Sequence, residues 1–201
     1  SEVYVRNKAR AFKKLNCKSQ TIHLEADTDE DEVLERLDTL NQDETVHGIL
    51  VQLPLPSHLD SEKILHRVSP EKDVDGFHPQ NLGLLLEGNP NFIPCTPHGI
   101  LEILKFYDIP VSGRHAVIVG RSNIVGKPMF ALLAQKHKMG NATVTICHTG
   151  TSDMIAHTKQ ADILIAAAGS PEMITGDMVK EGVDIIDVGI NRVNDDSDKG
   201  Y

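Results

Sequence analysis

The sequence lacks the features that mark membrane proteins and small secreted domains. It contains no tryptophan, only three widely spaced cysteines, and no apolar run near the roughly 18 residues that a membrane span needs. No signal peptide opens it, and an odd cysteine count without framework spacing excludes a disulfide scaffold. We therefore expect no membrane association and a reducing compartment, by default the cytoplasm.

Positive charge is scarce, and metal-binding spacings are absent from the sequence. The chain has 20 Lys and Arg against 29 Asp and Glu, a net charge of −9, which disfavours binding to nucleic acid. Its 10 histidines form no H-x-x-x-H or H-E-x-x-H pattern, so we expect no metal site. The one cationic cluster is interpreted as a solvated helix face: Arg6, Lys8, Arg10, Lys13 and Lys14.

The second half of the chain alternates apolar runs with helical periodicity. Strands are predicted at residues 115–120, 142–148, 161–168 and 183–190, with helices near 126–138 and 151–160. Because βαβ alternation builds a parallel sheet with helices on its faces, the pattern predicts a doubly wound, Rossmann-like domain.

The first half also predicts an α/β domain. The apolar run 48–53 is typical of a strand in a parallel sheet that is covered on both faces. The other predicted elements are helices over 4–16 and 62–68, a strand over 21–26, a helix capped by Asp27 or Thr28, and a long irregular segment over 69–97. Thr96 and Pro97 suit the start of a helix over 98–107, which we expect to bridge two domains.

The segment 116–128 places a glycine turn between an apolar strand and a helical pattern. Gly120 supplies the tight turn, and Gly126 comes one residue later than the last glycine of a dinucleotide fingerprint. Ser122 and Val125 occupy the two other positions where that fingerprint has glycine. The flanking strand and helix favour a phosphate-binding turn, although an ordinary βα turn fits the same pattern.

The end of the second predicted strand bears on the choice of cofactor. It runs into His148 and Thr149, without the acid that holds the ribose 2′-hydroxyl of NAD. Arg121, within the glycine turn, could meet a 2′-phosphate with its guanidinium. We therefore expect NADP, with NAD less favoured. A surface cation without a ligand is the competing interpretation of Arg121.

Several polar positions in the first half indicate a site. Gln52 interrupts an apolar strand, where a buried amide needs a partner, so we expect it to face a site. Asp75 follows Asp73 in a glycine-containing loop and fits either a ligand acceptor or a turn residue. Tyr4 and Lys8 lie one helical turn apart, a spacing that alone better fits a core-edge tyrosine and a solvated lysine.

Six motifs, in this order, resemble the methylenetetrahydrofolate dehydrogenase/methenyltetrahydrofolate cyclohydrolase family: residues 4–8, 48–56, 70–79, 94–97, 120–128 and 187–192. The resemblance covers essentially the whole chain. It implies two α/β domains with a cleft between them, a folate-binding half at residues 1–97 and an NADP-binding, Rossmann-like half at 98–201. It also implies tetrahydrofolate one-carbon derivatives as substrates and a homodimer formed through the Rossmann halves.

The same resemblance implies a bifunctional enzyme. One activity oxidises 5,10-methylenetetrahydrofolate to the methenyl form with hydride transfer to NADP, and the other hydrolyses that product to 10-formyltetrahydrofolate. Lys8 is then the catalytic lysine, oriented by Gln52, and Tyr4 stacks near the folate. Asp75 binds the pterin ring. The implied pocket-lining residues are Val51 and Leu53, and the implied cofactor positions are Gly120, Arg121, Ser122, Thr149 and Ile190.

A lysine in an apolar cleft can have its pKa lowered enough to handle protons near neutrality. Lys8 is therefore expected to activate water directly or through Gln52. Thr149 stands where serine is common in the family and keeps the hydroxyl. The family's first strand and helix, and its Pro-Gly-Gly-Val-Gly stretch, do not occur here, so we expect the parent protein to extend beyond both ends.

Three rival interpretations compete with the bifunctional enzyme. They are a monofunctional methylenetetrahydrofolate dehydrogenase, a non-catalytic NADP-binding module, and an amino-acid or shikimate-type dehydrogenase of similar layout. The binding module is disfavoured because it needs no lysine that handles protons, whereas the chain has Tyr4, Lys8, Gln52 and Asp75 together. Lys8 and Gln52 also disfavour a simple dehydrogenase, and the third rival does not explain the segments 51–54 and 73–79.

Overall fold

The computed structural model describes residues 2–190, and these form two compact units. The first unit ends at Pro79 and the second begins at Gln80. The domain boundary expected after residue 97 stays a prediction. No helix within residues 2–190 is long and apolar enough to cross a membrane.

The first unit contains three helices: α1 (Glu2–Lys14), α2 (Glu30–Gln42) and α3 (Ser61–Arg67). Three acidic residues open α2 and interact favourably with the positive end of its dipole. The Asp60 carboxylate caps α3 by accepting two N–H groups of its first turn at 3.0 and 3.1 Å. The apolar stripes of α2 and α3 contribute to one core of buried side chains: Val33, Leu37, Ile49, Ile64 and Val68.

Two predicted strands of the first unit are not formed. Residues 21–26 make no ladder within the described chain, and the run 48–53 makes one parallel bridge, between Ile49 and Asp73. A strand needs a hydrogen-bonded neighbouring strand along its length. Within residues 2–79, the bridge between Ile49 and Asp73 is the one pairing of this kind. Asp29 is the residue before α2, in place of the predicted caps, because its backbone is still extended.

The second unit is built on a four-stranded parallel sheet. Its strands, in the spatial order β2-β1-β3-β4, are β1 (His115–Val119), β2 (Thr143–Cys147), β3 (Ile163–Ala166) and β4 (Asp184–Asp187). The register pairs Val119 with Cys147 on one side and with Ala166 on the other. All four predicted strands are present, and the sheet confirms the α/β fold class.

Helices and a short turn complete the second unit: α4 (Pro79–Glu87), α5 (Cys95–Phe106), α6 (Gly126–Ala134), α7 (Met154–Thr158) and a 3₁₀ turn at Gly176–Met178. Side chains of the sheet alternate between two buried clusters. Ile118 and Ile163 belong to the cluster that includes residues of α5 and α6, and Val117 and Leu164 belong to the other. Full burial of each such side chain stabilises the fold by roughly 1.5–3 kcal/mol.

Two helices differ from their predictions. α4 lies inside the segment predicted to be irregular, with Pro79 at its first position, where a fixed φ suits a helix, and Leu85 buried. α5 begins at Cys95, so Thr96 and Pro97 lie within its first turn. Pro97 is accommodated because the first N–H groups of a helix have no partner within that helix.

Ionic contacts fasten the amino ends of three strands. The Arg114 guanidinium pairs with Asp184 at 2.7 Å, and Lys180 pairs with Asp162 at 2.5 Å. The Asp162 carboxylate also accepts the His115 N–H at 2.9 Å. That backbone bond and the Lys180 ammonium lower the pKa of Asp162 to about 2.

Candidate active site

Lys8 and Gln52 are in contact in the first unit. The Lys8 ammonium donates to the Gln52 side-chain carbonyl at 3.3 Å, while the Gln52 amide nitrogen donates to the Leu53 carbonyl at 2.9 Å. The second bond orients the amide, so that its oxygen faces the lysine. Lys8 is exposed and Gln52 is half-buried. The apolar surroundings expected for Lys8 stay a prediction.

The other predicted residues of this site lie near these two in the chain. Tyr4 is 53% exposed and precedes Lys8 by one turn of α1. Val51 and Leu53, which flank Gln52, are half-buried. Val51 packs against the core of the first unit. The anchoring of Val51 in the core fixes the backbone from which the Gln52 side chain projects.

The Asp75 carboxylate interacts electrostatically with the Lys8 ammonium. Asp75 is half-buried, and burial raises the pKa of its carboxyl group; the Lys8 ammonium opposes that rise, and the Asp73 carboxylate adds to it. The structure therefore brings together three of the predicted residues: a cation, an amide and a carboxylate whose charge is costly to bury. Such a set can orient a polar heterocycle and handle protons.

The loop that carries Asp75 is held by hydrogen bonds to the side chain and the backbone of Asp73. The buried Asp73 carboxylate accepts the His78 N–H at 2.8 Å, and its carbonyl accepts the Gly76 N–H at 3.1 Å. Gly48 allows this loop to approach the Gln52 segment, because a Cβ at Gly48 would lie only 2.5 Å from the Cγ1 of Val74.

Lys72 is a supporting residue that sequence reasoning missed. Its ammonium donates to three carbonyls at the carboxyl end of α2, those of Leu40, Asn41 and Asp43, at 3.0, 2.7 and 2.8 Å. The Asn41 side chain accepts the Ser69 N–H at 2.8 Å. These bonds satisfy carbonyls that a helix end leaves without partners, and they tie the Asp75 loop to α2.

The glycine turn of the second unit follows β1. Gly120 has a φ of +135°, and a Cβ on it would lie 2.5 Å from the Ala167 carbonyl oxygen. Gly126, the first residue of α6, packs so closely on the Gly120 carbonyl that a Cβ there would overlap it. Gly126 thus makes the close contact between helix and strand that the dinucleotide fingerprint assigns to a glycine at position 125. A Cβ at either position would collide with a backbone carbonyl, so this turn needs both glycines. A tight glycine turn between a strand and the start of a helix is the backbone arrangement that fits a bound pyrophosphate.

Hydrogen bonds within the turn fix its outward face. The Ser122 hydroxyl accepts the Val125 N–H at 3.1 Å, and the Ser122 carbonyl accepts the Lys127 N–H at 3.0 Å. The Lys127 ammonium donates to the Asn123 side chain at 2.7 Å. Arg121 and Ser122 are exposed. The predicted phosphate-binding residues therefore stand on a rigid turn that faces solvent.

The carboxyl ends of the strands bring the other predicted cofactor residues to one edge of the sheet. The Gly120 N–H donates to the Cys147 carbonyl at 2.8 Å, so the turn lies beside the end of β2. Thr149 is exposed there, two residues past β2. Ile190, three residues past β4, is 79% exposed. Ligands of open parallel sheets bind at this edge.

A glycine turn at the sheet edge of one unit, with a lysine, an amide and a carboxylate in the other unit, is typical of a nucleotide-dependent enzyme. No grouping of three or more metal-ligating side chains occurs within residues 2–190. Comparison with known proteins gives the family. The chain belongs to the tetrahydrofolate dehydrogenase/cyclohydrolase family, whose catalytic domain matches residues 1–75 and whose NAD(P)-binding domain matches residues 94–200.

Individual relatives agree with this assignment. The bifunctional protein FolD of Chlorobium luteolum is 54% identical over 201 residues, which cover 99% of this chain and 68% of that protein. The crystal structure of FolD from Campylobacter jejuni has a TM-score of 0.90 at 47% identity and covers 100% of this chain, which spans 68% of that one. A Trypanosoma brucei dehydrogenase-cyclohydrolase complexed with NADP and an inhibitor has a TM-score of 0.90 at 35% identity, with the same coverage.

The family assignment confirms several predictions from the sequence. The resemblance stated from six motifs is confirmed, and so is an enzyme with dehydrogenase and cyclohydrolase activities on tetrahydrofolate derivatives. The NAD(P)-binding domain confirms the class of cofactor. The roles of individual residues stay predictions.

Proposed function

We propose that this chain oxidises 5,10-methylenetetrahydrofolate with NADP and hydrolyses the 5,10-methenyl product to 10-formyltetrahydrofolate. The hydrogen bond between Lys8 and Gln52, 3.3 Å long, is the observation that carries the second activity. A dehydrogenase needs its two ligands to be aligned, whereas hydrolysis also needs a group that moves protons. A lysine held by an oriented amide is such a group.

In the hydrolysis, water adds to the cationic methenyl carbon and loses one proton, which leaves a hydroxyl group on that carbon. The hydroxyl then loses its proton to become the formyl carbonyl as the bond from that carbon to N5 breaks and N5 gains a proton, so that one proton is released overall. Lys8 handles these protons, directly on the water or through Gln52. Gln52 accepts from the ammonium, so it fixes where the lysine nitrogen stands. Asp75 binds the pterin ring, Tyr4 stacks near the folate, and Val51 and Leu53 line the pocket.

NADP is the cofactor, and when bound it accepts the hydride. We assign its binding to one edge of the sheet. Gly120 and Ser122 let the backbone of the turn approach the pyrophosphate, and Arg121 meets the 2′-phosphate as a cation. Thr149 offers a hydroxyl at the end of β2, and Ile190 offers an apolar surface after β4.

Three further assignments extend the proposal. Residues 1–97 form the folate-binding half and residues 98–201 the NADP-binding half. The protein forms a homodimer through its NADP-binding halves, which light scattering would test. It works in the cytoplasm, in keeping with the free thiols of Cys17 and Cys147.

A spectrophotometric assay tests the two activities and separates the rival interpretations. The chain is given methylenetetrahydrofolate with NADP or NAD, and in a second assay the methenyl compound alone. We expect oxidation with NADP and accelerated loss of the methenyl absorbance. Oxidation without hydrolysis would support a monofunctional dehydrogenase, and neither reaction would support a binding module.

A pair of lysine variants on α1 tests the role of Lys8. Lys8→Met should lose cyclohydrolase turnover, because it removes the group that handles protons. Lys13→Met is the matched control, an exposed lysine on the same helix, and should keep it. Full turnover in Lys8→Met would contradict the assignment.

A further inference from the structure

His78 is a half-buried histidine whose ring takes no part in the proposed reaction. The ring lies edge-on against the ring of His66, with the two centroids 6.0 Å apart and the planes at 63°. It also forms a hydrogen bond with the backbone of His66, and this bond favours the protonated ring. A bond of that kind needs an acceptor, so a ring N–H of His78 donates to the His66 carbonyl. The two contacts hold the His78 ring against one residue.

The residue that receives these contacts belongs to a fixed helix. His66 lies in the last turn of α3, where carbonyl groups have no partner within the helix, and the His78 ring satisfies one of them. The first turn of α3 is capped by Asp60, and the last turn is tied to α2 by the pair of Arg67 and Asp38 at 2.5 Å. The His78 ring is therefore attached to a rigid part of the first unit.

The Asp75 loop runs between two attachments. At its start, Asp73 pairs with Ile49 in a parallel bridge, and at its end the His78 ring contacts α3. Between them, the Asp73 carboxylate accepts the His78 N–H, and the Asp73 carbonyl accepts the Gly76 N–H. The bonds to Asp73 fix the shape of the turn. The His78 ring fixes where the end of that turn lies, and with it the carboxylate of Asp75.

The His78 ring is uncharged at pH 7. Burial lowers its pKa below the ordinary value of 6.5; the Asp73 carboxylate opposes this effect, and the His66 side chain adds to it. Replacement of His78 by another uncharged ring therefore removes a hydrogen bond and leaves the charges of the loop as they are. Any effect on folate binding then reports the position of the loop.

We propose that His78 is a positioning residue for folate, whose ring ties the Asp75 loop to the end of α3 and so holds the Asp75 carboxylate in place for the pterin ring. The inference rests on the proposed function, in which Asp75 binds that ring. It assigns part of the affinity for folate to a residue that does not touch the folate itself.

Substitutions of His78 can remove the bond and restore it. His78→Phe keeps an aromatic ring against His66 and removes the N–H donor. The side-chain amide of Asn lies near the place of Nδ1 and that of Gln near the place of Nε2, so one of His78→Asn and His78→Gln should restore the bond. His58→Phe is the matched control, because the exposed ring of His58 also bonds a backbone carbonyl, that of Thr28 at 3.0 Å, outside the Asp75 loop.

Steady-state kinetics of the whole chain provide the first test. We expect His78→Phe to raise KM for methylenetetrahydrofolate by about 3- to 10-fold, the effect of one neutral hydrogen bond. Dehydrogenase kcat and KM for NADP should stay at the parent values, one of the two amide variants should restore the folate KM, and His58→Phe should not change it. A merely structural role would not divide KM from kcat in this way.

The outcomes separate this inference from the proposed function. A folate KM that is unchanged in His78→Phe but raised in Asp75→Asn would overturn the inference alone. An equal rise in His58→Phe, or a rise that neither amide variant reverses, would overturn it as well. A folate KM that is unchanged in both His78→Phe and Asp75→Asn would overturn the proposed role of Asp75, and the inference with it.

Amide hydrogen exchange tests the attachment of the loop without any assay of activity. The Gly76 N–H, which donates to the Asp73 carbonyl at 3.1 Å, reports opening of the turn. Its exchange should be about 3- to 10-fold faster in His78→Phe than in the parent, and unchanged in His58→Phe. Equal exchange in His78→Phe and the parent would show that the ring does not hold the loop, and the inference would be wrong.

Discussion

The ammonium of Lys8 and the side-chain oxygen of Gln52 lie 3.3 Å apart, although 44 positions separate the two residues in the chain. The Gln52 amide cannot turn freely, since its nitrogen donates to the Leu53 carbonyl. The lysine therefore has an acceptor of fixed position. A hydrogen bond to a charged group contributes more than a neutral one, so this contact restrains the Lys8 side chain.

Gln52→Met keeps the size of the side chain and removes the acceptor. We expect cyclohydrolase kcat to fall by about 10- to 100-fold, the effect of losing one hydrogen bond to a charged group. Dehydrogenase kcat should change less, because alignment of the ligands does not need the lysine. Leu50→Met, at an exposed position in the same segment, is the control. Equal losses of both activities would show that Gln52 does not act through Lys8.

Asp75→Asn should raise the stability of the folded protein and weaken the binding of folate. Burial raises the pKa of Asp75, so the ionised carboxylate costs stability in the folded state. A group whose pKa is higher in the folded protein contributes stability that is complete below its pKa in the unfolded chain. That contribution is lost as the pH rises through its pKa in the folded protein. The variant should therefore be the more stable protein at pH 7, and the difference should vanish below pH 3.8, the ordinary pKa of the aspartate carboxyl group.

The same variant should bind folate more weakly. An amide cannot accept the hydrogen bonds of a pterin ring as a carboxylate does, so KM for methylenetetrahydrofolate should rise by about 10- to 100-fold. Urea unfolding at several pH values and steady-state kinetics measure the two effects. A variant that is less stable than the parent at pH 7 would contradict the stated cost of the charge.

Lys72→Met tests the support of the Asp75 loop. The substitution leaves three carbonyls at the end of α2 without their donor, which should lower the free energy of unfolding by about 1.5–3 kcal/mol. Lys63→Met is the control: it removes an exposed ion pair to Glu30, and such pairs contribute little. Urea unfolding with an α2 probe compares the two. Equal effects would mean that the three contacts of Lys72 add nothing.

The sequence predicted an element correctly where the local pattern of apolar residues is enough to specify that element. β1 to β4 were predictable because each is a short apolar run between helical patterns, and such runs have few other ways to bury themselves. The residues 21–26 show the opposite case. Their alternation fits a strand, but a ladder also needs a partner, and local sequence does not contain one.

The contacts of the candidate site depend on long-range geometry. Lys72 reaches carbonyls that lie 29 to 32 positions earlier, and no pattern near Lys72 indicates them. Gly126 lies one residue beyond the last glycine position of the fingerprint, yet its packing on the Gly120 carbonyl depends on where α6 begins. Motif spacing assumes a standard turn, and this turn is one residue longer.

Asp162→Asn should weaken the second unit in a way that depends on pH. The carboxylate accepts the His115 N–H and pairs with Lys180, and these contacts lower its pKa from 3.8 to about 2. A group whose pKa is lower in the folded protein contributes stability that is fully present above its pKa in the unfolded chain. That contribution is lost as the pH falls through its pKa in the folded protein. The parent should therefore lose this contribution between pH 3.8 and about 2.

The variant has no such group to titrate. Its thermal unfolding midpoint should lie below that of the parent at pH 7, and the two should converge as pH falls toward 2. Glu181→Gln, an exposed carboxylate of the same unit, is the control and should follow the parent at every pH. Asp162 joins β1 to the segment before β4. If the difference in unfolding midpoint between variant and parent stayed constant down to pH 2, these contacts would act through packing. The ionic explanation would then be wrong.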